Sequence, residues 1–271
     1  MLASALSMTP RCLTIATSDS SGGAGIQADL KAFARLGCHG TSAVVALTAQ
    51  NTVAVTGVHE VPPGFIRDEL DAVFDDVGVD AAKTGMLFSR RIIETVADYL
   101  EAHTVPLVVD PVMVAASGAK LLQDDAVTVL VERLLPLATV VTPNLHEACA
   151  IAGIPYAEDA SRRDLAEAVH RVGAAAVVVT GGHGDEAVDW LFDGERHVPI
   201  AVERYEEHAT HGAGCTHSAS LAALLARGET LEEAARGAAR IASEAVRNGL
   251  AEIGRGSGPV DVFALAPVGS R

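Results

Sequence analysis

Aromatic side chains are scarce in this sequence, at 4% of 271 residues with a single Trp, so its core has to be built largely from alanine and valine. Cysteine is scarce too. Cys12, Cys38, Cys149 and Cys215 are widely spaced and form no CxxC pair, which excludes a disulfide scaffold and fits a reducing cytosol. No apolar run approaches the roughly 18 residues that would span a bilayer, and no basic segment followed by a long apolar stretch opens the chain, so a cytoplasmic protein without a membrane partner is expected. Basic residues are outnumbered 20 to 35 by acidic ones. The resulting formal charge of −15 repels a phosphate backbone and argues against a nucleic-acid partner. Also missing are GxGxxG and GxxxxGK[ST], so neither the dinucleotide fingerprint nor the Walker loop applies. With no repeat, low-complexity tract or dividing linker, one domain over 1–271 is expected, residues 1–10 forming a loose leader in which Met8 offers an alternative start.

Hydrophobic residues at 49% and charged residues at 20% are enough for a packed core. Short β-branched runs recur at Cys12 to Ala16, Ala43 to Leu47, Leu107 to Val109, Thr139 to Val141 and Ala176 to Val179. Most lack polar alternation, as strands covered on both faces do. Between them, helical periodicity runs over Ile26 to Leu36, Phe65 to Val77, Arg91 to His103, Asp125 to Leu135 and Asp164 to Val172. This alternation predicts an α/β fold with a mostly parallel sheet covered on both sides. Two Ala-rich helices, Thr216 to Arg227 and Leu231 to Asn248, close the chain, the second capped at Thr230 by Thr-x-x-Glu. Val53 to Val61 alternates as a short strand able to form a flap, and Ala187 to Pro199 reads as a hairpin turning at Asp193-Gly194.

Ligands of open α/β sheets bind where strands end and helices begin, because exposed backbone N–H groups and helix dipoles converge there. Three junctions are unusual. Thr17 to Gly25 enters a helix through Gly22, Gly23 and Gly25, which let a ligand approach the backbone closely; an N-capped glycine turn is the structural alternative. His211-Gly212-Ala213-Gly214-Cys215-Thr216 opens the penultimate helix, where amides can cradle a transferring phosphoryl group. Cys215 falls in that helix's first turn, where the dipole is expected to lower the thiol pKa, unless it is simply a small buried side chain. Asp110-Pro111, Asn144 with Glu147, and Thr180-Gly181-Gly182-His183 each follow a buried run. Carboxylates there can hold hydrated Mg²⁺ beside nucleotide phosphates, although Asn144 and Glu147 read equally well as an N-cap and its third-position partner. His39, His103 and His170 show no metal-ligand spacing.

The stretch Ser18-Asp19-Ser20-Ser21-Gly22-Gly23-Ala24-Gly25-Ile26-Gln27-Ala28-Asp29-Leu30-Lys31 strongly resembles the signature of hydroxymethylpyrimidine and phosphomethylpyrimidine kinases of thiamin synthesis. The resemblance continues through Ala49 to Thr52, Lys83 to Leu87, Val109 to Val114, Thr142 to Leu145 with Glu147-Ala148, His211 to Thr216, and Gly258-Pro259, covering nearly the whole chain in order. It implies a ribokinase-like three-layer αβα fold and transfer of ATP's terminal phosphoryl group, first to the pyrimidine's hydroxymethyl oxygen and then to the monophosphate. It further implies that Gln50 reads the ring, its amide offering both donor and acceptor, and that Ala24, Asp29 and Met86 help form the substrate pocket. Gly212, Ala213 and Gly214 would be the anion hole and Cys215 the group that takes or orients the hydroxyl proton. Thr180, Gly182, Asn144 and Thr216 would face ATP, Asp110 and Glu147 would face Mg²⁺, and dimers, frequent in the family, are implied as well.

Several positions depart from the family pattern. Thr17 stands in place of Gly, Ala116 in place of Lys, Ala213 in place of Thr, and Thr180 replaces the usual Lys before Gly-Gly-His, removing a charge that would help hold ATP's phosphates. Thr-Gly-Gly together with His-Gly-Ala-Gly-Cys resembles a close branch that phosphorylates pyridoxal, which keeps that substrate as an alternative; the retained Ala49-Gln50-Asn51 points to the pyrimidine. A pyrimidine-binding protein without catalysis is motivated by Thr180 and opposed by the intact Cys215 loop. A Cys-His hydrolase on Cys215 and His211 lacks an oxyanion motif and a third orienting group.

Overall fold

The computed structural model describes residues 8–114, 121–181, 187–205 and 209–265. Met1 to Ser7, Ala116 and Gly182 lie outside the described residues. Strand β1 (Arg11–Asp19) leads into α1 (Gly25–Arg35), then β2 (His39–Gln50), β3 (Val55–Glu60) and α2 (Pro63–Ala72). Next come β4 (Ala81–Thr84), α3 (Arg90–Ala102), β5 (Leu107–Val109), α4 (Asp124–Val129), β6 (Val140–Val141), α5 (Leu145–Ala152) and α6 (Arg162–Arg171). The chain ends through β7 (Val177–Val179), β8 (Val188–Phe192), β9 (His197–Ala201), α7 (Ala213–Ala226) and α8 (Leu231–Arg247).

These strands form one nine-stranded sheet in the order β3-β2-β1-β4-β5-β6-β7-β8-β9. From β2 to β7 every pairing is parallel, while β3 on one edge and β8 and β9 on the other are antiparallel. The central runs are apolar because helices cover both faces. One core gathers Phe33 of α1, Val108, Val140 and Val178 of the sheet, Leu221 of α7 and Ile241 of α8. The opposite core gathers Ile66, Ile93, Leu130, Ala148 and Leu165 from α2 to α6 and the region following α4. Completely burying a side chain such as Phe33 contributes about 2 kcal/mol. This is the expected three-layer α/β architecture, and the hairpin at Asp193-Gly194 and the β2–β3 flap form where predicted.

Three local differences have physical causes. The Phe65 to Val77 periodicity splits into α2 and a π turn at Val73–Val77 that ends at Gly78, whose φ is +79°. Asp125 to Leu135 likewise passes from α4 through a π turn, Leu130–Leu134, into a 3₁₀ turn containing Pro136. Strand β4 is absent from the sequence reading because Lys83 interrupts its apolar run, yet all four of its residues are buried. The chain runs outward from β1 to β2 on one side and from β1 to β4 on the other, so the C-terminal ends of β1 and β4 flank a topological switch point. Crevices of this kind take ligands in open α/β sheets.

Candidate functional site at the strand ends

At the end of β1 the chain winds around the Asp19 carboxylate. It accepts N–H bonds from Ser21, Gly23 and Ala24, the Ser21 hydroxyl, and His211 Nε2 at 2.9 Å. Burial alone would raise the Asp19 pKa, but His211, Ser21 and Ala24 bring it down to about 2. His211 therefore has an acidic partner that its sequence neighbourhood does not reveal, and that partner fastens the first glycine loop to the second. The glycines follow from this close packing. A Cβ on Gly23 would lie 2.2 Å from His211 Cδ2, and one on Gly212, whose φ is +86°, would lie 1.8 Å from the Gly23 carbonyl oxygen. Open space around the Cβ direction is found at Gly22 in the first loop and at the exposed Gly214 in the second.

Gly212 starts α7 in a left-handed conformation, and the Thr216 amide returns to its carbonyl at 2.8 Å. The Ala213 amide is not available to a ligand, because it donates to the Thr210 carbonyl at 3.1 Å. Gly214 and Cys215 have no backbone acceptor among the described residues and present their amides at the helix's positive end. Cys215 is half-buried. The expected lowering of its pKa by the dipole is not found. Burial raises the thiol to about 12, Asp110 and Asp29 add to this, and Lys83 and the Gly25 amide only partly oppose it.

Lys83 is the residue sequence reasoning missed. It is fully buried, with Nζ 2.9 and 3.0 Å from the two Asp29 oxygens and 3.9 Å from Asp110 Oδ2. Burial works against the ammonium, but the Asp29 and Asp110 carboxylates outweigh it and hold Lys83 protonated. Asp29 also accepts the Thr14 hydroxyl at 2.6 Å, so both its oxygens are engaged inside the protein. The signal available in the sequence was a lysine enclosed by Ala81, Ala82 and Thr84, where an unpaired charge would be prohibitively costly.

Beyond the neighbouring strand ends, Asp110 Oδ2 accepts the Ser218 hydroxyl of α7 at 2.8 Å, while Oδ1 has no partner among the described residues. Asn144 and Glu147 form a complete capping box on α5, and the second Glu147 oxygen takes the Met113 amide at 3.2 Å. Burial, and then Asp110, push Glu147 up to about 7. No cluster of three or more His, Cys, Asp or Glu residues among the described residues is arranged to hold a metal. Thr180, half-buried, follows β7 and donates its amide to the Pro143 carbonyl at 2.9 Å, and the Thr216 hydroxyl is buried with no partner. On the other side, Met86 is buried and its carbonyl accepts the Thr17 hydroxyl at 2.9 Å, giving Thr17 a place in the loop. Gln50 ends β2 on the flap, its backbone held by Ser20 and its Oε1 by Thr48. The Gln50 side-chain N–H donors and the half-buried Ala24 border the same rim. Apart from Gly182 and from Asp29, which is buried on α1 against Thr14 of β1 and Lys83 of β4, the sequence-predicted residues lie at the C-terminal ends of β2, β1, β4, β5, β6 and β7 or in the α7 turn.

Known proteins resemble the chain along nearly its whole length. Residues 19–261 match the family model described as phosphomethylpyrimidine kinase. A hydroxymethylpyrimidine/phosphomethylpyrimidine kinase of Rhizobium meliloti is 50% identical, covering 94% of this chain and 98% of that one. The thiamine biosynthesis bifunctional protein ThiED of Geobacter sulfurreducens is 49% identical over 94% of this chain, which spans only 52% of that longer protein. Among solved structures, a pyridoxal kinase of Bacillus subtilis in complex with ADP superposes with a TM-score of 0.87 at 38% identity, over 94% of this chain and 98% of its own. With the strand-end rim, the open α7 turn and this near-complete likeness together, the chain belongs to the phosphomethylpyrimidine kinase family of phosphotransferases.

Proposed function

We propose that the protein transfers the terminal phosphoryl group of ATP to hydroxymethylpyrimidine and then to its monophosphate, giving the diphosphate for thiamin synthesis. The observation that supports this reading is the pair of open Gly214 and Cys215 amides on the α7 turn that carries Cys215, near Asp110; Gln50, at the end of β2, keeps its amide donors free to read a pyrimidine edge. Ala24 and Met86 flank the ring, and Asp29 keeps Lys83 in place beneath it. Asn144, Thr180 and Thr216 lie along the nucleotide side. The four cysteines are free thiols among the described residues, and no helix there is long and apolar enough to cross a membrane. Both fit the expected cytoplasmic location.

The chemistry asks little covalent work of the protein, because phosphoryl transfer passes through a loose transition state served by positioning and charge stabilisation. Cys215, held as a thiol, orients the substrate hydroxyl, whose proton passes to an oxygen of the transferred phosphoryl group as the new P–O bond forms. The Gly214 and Cys215 amides point where negative charge grows on the transferring group. Asp110 and Glu147 fit Mg²⁺: Asp110 Oδ1 is uncommitted, and Glu147, raised first by burial and then by Asp110, has that second carboxylate as its neighbour. Asp110 would hold the ion directly and Glu147 through water, an ion that keeps most of its own water shell. Bound there, Mg²⁺ would neutralise phosphate charge and relieve the repulsion Asp110 exerts on Cys215.

The likeness to the ADP-bound pyridoxal kinase favours pyridoxal as a second substrate. ADP release with Mg-ATP and, in parallel, hydroxymethylpyrimidine, its monophosphate and pyridoxal separates these readings. Turnover of both pyrimidines is expected. Turnover of pyridoxal alone moves the substrate assignment, and silence with all three indicates a binding protein.

A further inference from the structure

His217 lies two residues beyond Cys215 on α7, is 5% exposed, and has no hydrogen-bond partner at either ring nitrogen. A buried imidazole without partners is costly and needs an explanation. Its Nε2 faces Asp189 Oδ2 of β8 at 3.5 Å, a distance of ionic contact without hydrogen-bond geometry. Asp189, 3% exposed, gives its other oxygen to the Gly181 amide at 2.5 Å. Gly181 is the residue after Thr180, and it lies flat on β8, where a Cβ would meet the Val188 carbonyl oxygen at 2.2 Å. The Gly181 carbonyl accepts an Arg204 N–H at 2.7 Å, and the preceding amide, of Thr180, is bound to Pro143.

The strand end at Thr180-Gly181 is thus fixed from three directions, and one of them leads to the helix whose first turn presents the open amides. We infer that His217 and Asp189 are a positioning pair that sets the Thr180-Gly181 backbone in register with the α7 turn, and so governs affinity for the nucleotide's phosphates. Neither residue touches the reacting atoms. Hydrogen bonds that are loose in an unliganded site commonly tighten in the complex, and the 3.5 Å gap is of that kind. The two buried, unpartnered hydroxyls on the same helix, of Thr216 and Ser220, place further polar groups beside it. This inference rests on the nucleotide lying along Thr180, as the proposed function has it.

The test measures ADP binding by titration calorimetry, and KM for ATP and for the hydroxyl substrate separately, in the full-length protein and its His217→Phe, His217→Gln and Asp189→Asn variants. Phenylalanine keeps the ring volume without the nitrogens, while glutamine returns an N–H near the Nε2 position. His217→Phe and Asp189→Asn are expected to weaken ADP binding and raise KM for ATP about tenfold or more. KM for the hydroxyl substrate should stay within about twofold, and His217→Gln should recover most of the loss. Parallel rises in both KM values, a fall in thermal stability alone, or no rescue by glutamine would overturn the inference. ADP titration does not depend on which hydroxyl is phosphorylated: unchanged ADP affinity in variants of an active enzyme defeats the pair alone, whereas absence of ADP binding by the parent defeats the proposed function as well.

Discussion

Cys215 shows how far a neighbourhood can overrule a position. A thiol in a first helical turn should gain from the dipole. Here burial and the carboxylates of Asp110 and Asp29 push it to about 12 instead. Alkylation of Cys215 by iodoacetamide in the ligand-free protein should therefore remain slow through pH 9, and mass spectrometry of the labelled peptide reads this directly. Cys215→Ala should lower kcat about a hundredfold with KM values little changed, the scale of a lost orienting contact on the reacting hydroxyl. Glu147 has its own pH consequence. Its folded pKa of about 7 lies above the ordinary carboxyl value, so the stability tied to its protonated form is complete below about pH 4 and is lost as pH rises through 7. Glu147→Gln keeps an acceptor for the capping box and removes that loss. Thermal unfolding at pH 5 and pH 8 should show the variant gaining on the parent with rising pH, by up to about 3 kcal/mol.

Among the elements, the two glycine loops do different work from what glycine content alone conveys. Both were legible as strand-to-helix junctions, because glycine clusters and N-terminal turns are local signals. That the loops grip each other through Asp19 and His211 was not legible, since these residues are 192 positions apart. The distinction can be measured by comparing Gly212→Ala with Gly214→Ala. The first places a methyl against backbone at a left-handed φ and should cost about 2 kcal/mol or more, with loss of activity. The second enters open space at a helical position and should leave thermal stability unchanged or slightly higher. Its kcat should nevertheless fall at least tenfold, because the methyl stands where the phosphoryl group is to pass.

Across the whole molecule, the Asp29–Lys83 pair joins α1 to the central sheet at the switch point, completely out of water. Lys83→Met strands the Asp29 charge in the interior and should cost about 3–5 kcal/mol in urea unfolding. The double variant Lys83→Met, Asp29→Asn removes both charges and should recover much of that loss while kcat stays low, since Cys215 and Asp110 lose the neighbouring cation. Full recovery of kcat in the double variant would show that the pair serves the fold alone.

The sequence by itself determined the layered architecture, the flap, the hairpin, the caps at Asn144 and Thr230, and the junctions where a ligand would meet backbone amides. Periodicity, turn chemistry and capping are written within a few residues of where they act. Tertiary structure decided how the two glycine loops meet, because Asp19 and His211 come together only once β1 and the start of α7 are packed side by side. It also decided the charge state of Cys215, the pairing of Lys83 and the contact of His217 with Asp189. Each of these is a sum of burial and Coulomb effects over groups from separate elements, and such sums exist only once the chain has brought those elements together.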